Sequence, residues 1–436
     1  MNIHQSAKPV DGLDNSFDVL IKGLPDHLIC APDDAFLVPT FSKNPFPILA
    51  ELRDRAGGMV RRGEDGLYAG TDIFNVWGHD LSKPHFVALS YEAVNKVGSD
   101  RNTFISDQAY GMQQTAHGAT VNCLDGQEHF TMRRLLDGAF FGRQKMQDFA
   151  DSLTEPIVTY LVDRLEAKIR SGETGEICRD IALPVTYKSI SSIIGVPQAY
   201  FAHFVELGEI AQSGPRDLEA AMKANQDLDG FFASELDKRK TDPQSDMLTV
   251  LQTEELKGRK MTEAEIIQHC RFLLPGGIET TWRQTANLIM ALMLHPKQYQ
   301  AVVEDNSLIE QTVEEALRWC PSGFVVPRHA AIDTEVSGTP VPAGSFVCSI
   351  QGIANRDPAI WDKPDQFDIF REKHEHLTFH TGIHFCMGQH LARNTFKAVL
   401  RQLVGKLPDM KLACDPAEIE MRGFGVRCPL GVPVTV

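Results

Sequence analysis

The 436-residue chain has no run of about eighteen apolar residues, the length a membrane-spanning helix needs. Its start, MNIHQSAKPVDGLDNSFD, lacks the basic head and apolar stretch of a signal peptide. It lacks cysteine pairs. The nine cysteines, at 30, 123, 178, 270, 320, 348, 386, 414 and 428, form no C-x-x-C and are odd in number. That argues against a disulfide framework and for a reducing cytoplasm. It lacks positive charge: 43 Lys and Arg stand against 58 Asp and Glu, a net −15. A chain this acidic suits neither nucleic acid nor an anionic membrane. There is also no internal repeat and no low-complexity linker.

What is present is ordinary for a globular enzyme, 43% hydrophobic and 23% charged. The length suits two or three average domains or one large single-core enzyme. Residues 1–43 read as an irregular arm rich in Pro and Asp. Strand-like text follows between 68 and 90, where FNVW and FVALS flank a loop, and recurs over 324–350 with turns at Ser337-Gly338 and Pro342-Ala343-Gly344. Between these the pattern is mostly helical, over 126–317.

One helix is unusual. Thr262 and Glu265 form a capping box, and apolar residues recur at helical spacing from Ile266 to Leu292, closed by His295-Pro296. Its length is roughly 50 Å at 1.5 Å per residue. Pro275-Gly276-Gly277 in its middle breaks the hydrogen-bond ladder, a local violation that marks function or a simple kink. A second capping pattern, Ser307 to Glu310, opens a helix carrying Glu315 and Arg318 at i,i+3, a spacing that pairs them.

The stretch HEHLTFHTGIHFCMGQH, residues 374–390, holds five histidines and a cysteine. Structural zinc asks for four regularly spaced ligands, which this text does not supply, so a zinc hydrolase using His374, His376, His380 and His384 is a weak alternative. The amphipathic text after it places Cys386 at a helix N-terminus, where free amides and the helix dipole favour a thiolate. A lone thiolate in a glycine-lined loop suits a haem iron.

The order Phe379-x-x-Gly382-x-His384-x-Cys386-x-Gly388 resembles the cysteine loop of the cytochrome P-450 haem-thiolate monooxygenases, F-G-x-G-x-H-x-C-x-G. The departure is His380, where the family usually has glycine. Glu315 and Arg318 match the family's E-x-x-R helix, a structural pair. Its usual third partner position holds Gln366, so Arg356 or Arg371 is left to serve. Gly276-Gly277-Ile278-Glu279-Thr280 resembles the oxygen-binding segment, with Gly276 in place of the usual alanine. His129 and Arg133 look like the H-x-x-x-R helix, and Arg328 and His384 match further propionate-binding positions. The resemblance runs from about Asn44 to the C-terminus.

It implies a mainly α fold with small β-sheets (α+β): one domain over 44–436, with a long central helix over haem b (iron protoporphyrin IX). Cys386 would be the metal ligand, with Gly388 beside it. His129, Arg133, Arg328 and His384 would bind the cofactor. Thr280 and Glu279 would be catalytic, Thr280 holding the oxygen network and Glu279 relaying protons. Substrate contacts would come from residues 104–122, from Phe272, Gly276, Thr280, Phe324 and Val325, and from the tail near Phe424. The implied reaction uses O2 to hydroxylate or otherwise oxidise an apolar small molecule. No flavin or iron–sulfur module fits in the length, so electrons would come from a separate ferredoxin and ferredoxin reductase. Arg393, Lys397 and Arg401, with Arg134, Arg143 and Lys145, would form the basic docking face. A soluble, cytoplasmic monomer of bacterial type is expected. A haem-thiolate peroxygenase or isomerase without an electron donor is the other reading, disfavoured by the Glu279-Thr280 pair.

Overall fold

The computed structural model describes residues 43–63, 82–106, 109, 118–212 and 217–436. The 1–42 arm, the FNVW segment and most of 107–117 lie outside the described residues. The chain is mainly helical with small sheets. Six helices frame the site: α1 (Tyr91–Ser99), α2 (Gly126–Leu136), α3 (Glu263–Leu273), α4 (Thr280–Leu294), α5 (Ile309–Trp319) and α6 (Gln389–Lys406), the last five carrying residues singled out above.

A five-stranded sheet sits at one side. Its strands are β1 (Met59–Arg61), β2 (His85–Ala88), β3 (Phe104–Ile105), β4 (Val325–Ala330) and β5 (Phe346–Ile350), in the order β1-β2-β5-β4-β3. Only β2 and β5 run parallel; the register sets Val347 of β5 opposite Arg328 of β4. The hairpin Thr334–Val336 and Thr339–Val341 turns at Ser337-Gly338, as the sequence implies. The largest core cluster joins the helices and takes in Trp282 and Leu288 of α4, Val313 of α5 and Phe396 and Leu400 of α6.

The capping box at Thr262 forms: its side chain accepts from the Glu265 amide, and the Glu265 carboxylate accepts from the Thr262 amide at 2.7 Å. The long central helix is interrupted where Pro275 withholds its amide. Residues Leu274–Glu279 adopt a π-helical turn, which takes up the lost bond without ending the helix. The second capping expectation needs correction. Asp305, not Ser307, caps there. Its side chain takes the Ser307 amide at 2.9 Å, and a 3-10 turn over Asn306–Leu308 delays the start of α5 to Ile309.

Glu315 and Arg318 form a two-point pair, Nε to Oε2 at 2.7 Å and Nη2 to Oε1 at 2.8 Å, almost sealed from water. Arg318 also donates to the carbonyls of Asn355, Pro364 and Gln366, and Glu315 accepts the Asp368 amide. The open question of the third partner resolves to Arg371, whose Nε reaches Glu315 at 3.3 Å. Arg356 instead donates to the Trp319 carbonyl and lies over the Phe46 ring.

Truncating one side of a buried ion pair leaves the other charge uncompensated. Arg318→Ala is therefore expected to lower unfolding free energy by about 3–5 kcal/mol, and Arg371→Ala by about 1–2 kcal/mol. Denaturant titration measures both; equal losses would make Arg371 a principal rather than an accessory partner.

Candidate functional site

The residues after Thr378 form a loop whose shape follows from its own backbone. Cys386 N donates to Phe379 O at 2.9 Å, and a 3-10 turn covers Gly382–His384. Gly382 has φ +71, and a Cβ there would lie 2.4 Å from the Gly98 carbonyl oxygen, so only glycine lets the loop lie on α1. Gly388 is the N-cap of α6. Burial raises the Cys386 thiol pKa, while the amides of Gly388 and Gln389 and the cations Arg133 and Arg393 pull it down.

The loop forms one wall of a cavity of about 430 Å³. The opposite wall is the break in the central helix: Phe272, Leu273, Gly276, Thr280 and Thr281. α2 adds His129 and Arg133, and β4 adds Val326 and Arg328. Of the eight described cysteines, Cys386 alone lines this cavity. Cys428 is buried elsewhere and takes a bond from Arg283. Among the described residues no three His, Cys, Asp or Glu side chains converge to hold a metal ion. The histidines of the stretch diverge instead: His374 is exposed, His376 bonds Glu314, His380 bonds Arg328 and His384 faces Ser106 and Asp125.

The polar groups at the wall have distinct partners. Arg133 donates to the Phe385 carbonyl at 2.7 Å and pairs with Asp137, tying α2 to the loop. Arg328 donates to the Pro327 carbonyl and to His380 Nε2. His129 is 2% exposed, and both its ring nitrogens are buried without a partner among the described residues. Burial first, then His384 and the arginines, lowers its pKa to about 4. Burial lowers His384 as well, against the pull of Asp125. All of these groups share the cavity wall with Cys386.

Thr280 Oγ1 donates to the Gly276 carbonyl at 3.0 Å, the back-bond to the residue four positions earlier that a helical threonine commonly makes. Its hydrogen is thus committed, and the hydroxyl can only accept from the cavity side. Two expectations shift. Glu279 does not line the cavity. Its carboxylate is buried against Arg283, with Nε at 2.6 Å, and Trp282 Nε1 at 3.0 Å, because the π turn rotates it into the core. Phe324 and Val325 are not on the wall either. Phe324 packs between Phe46 and Phe424 in a separate apolar cluster that Val325 flanks, and Val326 faces the cavity in their place. Strand alternation turns Val325 away from the face that carries Val326 and Arg328, whereas Phe324 precedes the strand and is taken by its packing on Phe46 and Phe424, which sequence spacing does not see.

Other wall residues carry no sequence signal: Thr186, Ser189 and Ile190, from the helix Leu183–Ile194, and Met247. They meet the site only through packing. On the basic face, Arg393 is held by Glu314 at 2.6 and 2.9 Å and lies over Phe379. Arg401 pairs with Glu155. Burial opposes ionisation of Glu314, yet bonds from His376 and Arg393 bring its pKa to about 2.

Fold and cavity together describe a mainly helical protein with one cysteine at a helix N-terminus, facing a kinked central helix across a cavity flanked by histidine and arginine. The family profile Cytochrome P450 matches residues 210–407. The nocardicin C N-oxygenase of Nocardia uniformis is 30% identical over 80% of this chain and 89% of its own length. The biotin biosynthesis cytochrome P450 of Bacillus subtilis is 32% identical over 71% of this chain and 78% of its own. The crystal structure of the leinamycin-pathway P450 hydroxylase of Streptomyces atroolivaceus superposes with a TM-score of 0.74 at 32% identity, covering 81% of this chain and 91% of that one. This chain belongs to the cytochrome P450 family, and so to its oxidoreductases. Among the described residues no helix is long and apolar enough to cross a membrane.

The family implies a haem-thiolate cofactor, and the residues present fit one. A buried histidine with two unanswered nitrogens costs stability and is explained by a ligand that supplies the missing acceptor. In the cofactor-free protein, His129→Phe is expected to raise unfolding free energy by about 1 kcal/mol, since an apolar ring removes unpaired polar atoms. A histidine whose folded pKa lies near 4 also makes the unfolded state bind the proton first as pH falls below 6.5, so stability drops between pH 6.5 and 4. The variant should show a shallower drop in denaturant titrations across that window. An unchanged slope would mean His129 has a partner in solution.

Proposed function

We propose that this protein is a monooxygenase in which Cys386 binds the iron of haem b and His129, Arg133, Arg328 and His384 hold its carboxylates. The observation that carries this reading is the single cavity on which these five side chains meet opposite Thr280. When bound, the haem supplies the iron at which O2 is activated, with the thiolate favouring O–O cleavage.

The chain's own residues supply the rest. The helix N-terminus at Gly388 and Gln389 stabilises the sulfur's negative charge. Thr280, with its hydrogen committed to Gly276, accepts from a water and so orients a proton donor toward the cavity. We assign Glu279 a holding part rather than a relay part, since both its oxygens are occupied by Arg283 and Trp282. Phe272, Leu273, Ile190, Met247 and Val326 make the wall apolar, which supports an apolar small-molecule substrate and the exclusion of bulk water. The related proteins are named for different small molecules, so the substrate class is argued from this wall alone.

Electrons come, in this reading, from an acidic ferredoxin served by its reductase. The supporting feature is a cluster of cations on the cysteine side. Burial and the charges of Arg143, Arg393 and Lys397 lower the pKa of His390, which sits among them. Since Arg393 is engaged by Glu314, Arg143 and Lys397 are the cations left to a partner in this cluster.

The reduced, carbon monoxide-bound protein is expected to show the strongly red-shifted Soret band of thiolate-ligated haem, and Cys386→Ala to lose it. A band that persists in Cys386→Ala overturns the assignment. The double variant Arg143→Glu, Lys397→Glu is expected to slow reduction by an acidic ferredoxin roughly tenfold at low salt, with the haem spectrum unchanged. Reduction rates equal to those of the parent at every ionic strength would remove the docking site.

A further inference from the structure

His380 stands in the cysteine loop where the resembling pattern carries glycine, and its backbone explains why glycine is usual there. Its φ is +63, in the left-handed region that a residue with a Cβ enters only at a cost. The side chain is nevertheless buried, and it lines the cavity. Its Nε2 lies 2.7 Å from Nη2 of Arg328. A guanidinium has donors only, so Arg328 donates and Nε2 accepts. The ring is therefore neutral, with its hydrogen on Nδ1.

The surroundings are shaped to this ring. Gly98 of α1 makes room for this ring and for the neighbouring Thr381: a Cβ there would lie 2.3 Å from Thr381 Oγ1, 2.5 Å from His380 Cε1 and 2.8 Å from Nδ1. The His380 amide donates to Leu377 O at 2.9 Å, which closes the turn that carries the ring. On the other side, Arg328 is anchored in the sheet by β5 and donates Nη1 to its own neighbour's carbonyl. One histidine thus links the cysteine loop to β4 through the cation at the cavity wall.

We propose that His380 is a positioning residue that holds the Arg328 guanidinium in the orientation in which it receives a haem carboxylate. The inference rests on the reading of the cavity as a haem site. A neutral acceptor suits this task better than a carboxylate. It fixes one N–H of the guanidinium without neutralising the charge that the cofactor's carboxylate needs. The strained backbone at His380 is the local cost of that arrangement.

The test uses the haem-loaded protein and measures haem transfer to an excess of apoglobin. His380→Gly is expected to speed release roughly tenfold, the loss of one hydrogen bond to a charged group. His380→Asn, which tolerates the left-handed backbone but is too short to reach, should do the same. In an Arg328→Ala background, His380→Gly is expected to change release less than twofold. Release that is unchanged in His380→Gly, or that rises equally with and without Arg328, overturns the proposal. Carbon monoxide spectra of each variant keep the two readings apart: no thiolate-haem band in the parent sinks the functional reading, whereas a normal band with unchanged release sinks only this one.

Discussion

A single buried ion pair organises the cysteine side of the molecule. Arg318 is held flat by Glu315, and its remaining donors reach the carbonyls of Asn355, Pro364 and Gln366. That fixes the irregular segment after β5, which has no ladder of its own. The Asn355 side chain then takes the Leu377 amide and donates to the Thr378 hydroxyl, which donates in turn to the Leu317 carbonyl. Phe379 follows, and its carbonyl accepts from Cys386. The sulfur's position thus derives, bond by bond, from a charge pair on α5. Buried ion pairs are poor stabilisers relative to apolar packing but tolerate few alternative geometries. A loop that must present one atom accurately is well served by such a support.

The opposite wall rests on a different constraint. Pro275 cannot continue the α-helical ladder, and the π turn that follows redirects two adjacent residues. Thr280 turns to the cavity and keeps its hydrogen on Gly276, while Glu279 turns into the core and is taken by Arg283 and Trp282. Between the two walls lie cationic and polar groups, His129, Arg133, Arg328 and His384, around an otherwise apolar space. Such an arrangement fits the haem-thiolate cofactor that the family implies.

Much of this was legible in the chain because the relevant signals are local. A proline followed by two glycines in a periodic apolar stretch announces a break. Thr262 and Glu265 announce a helix start, and a cysteine between glycines before an amphipathic helix announces a presented thiolate. Other features were not legible, for reasons particular to each. Gln366 hides the third partner of Glu315, since Arg371 arrives from a segment without periodicity. Val326 stands on the wall instead of Val325 because strand alternation turns on a single residue, and Phe324 is drawn off by its packing on Phe46 and Phe424. Asp305 displaces Ser307 as a cap because a 3-10 turn precedes α5. Ser189 and Met247 reach the cavity from helices whose own sequences read as ordinary core.

The chain by itself determined its class, the mainly helical fold, the cysteine at a helix N-terminus and the order of the residues that resemble a haem site, because spacing along one helix or loop is a property of covalent geometry. Which groups face each other across the cavity was decided only by tertiary structure. The bond from Arg328 to His380 spans fifty-two positions, and its existence depends on Gly98, farther still along the chain, leaving room for a ring. Long-range contacts of that kind are set by packing, and packing has no signature in local sequence.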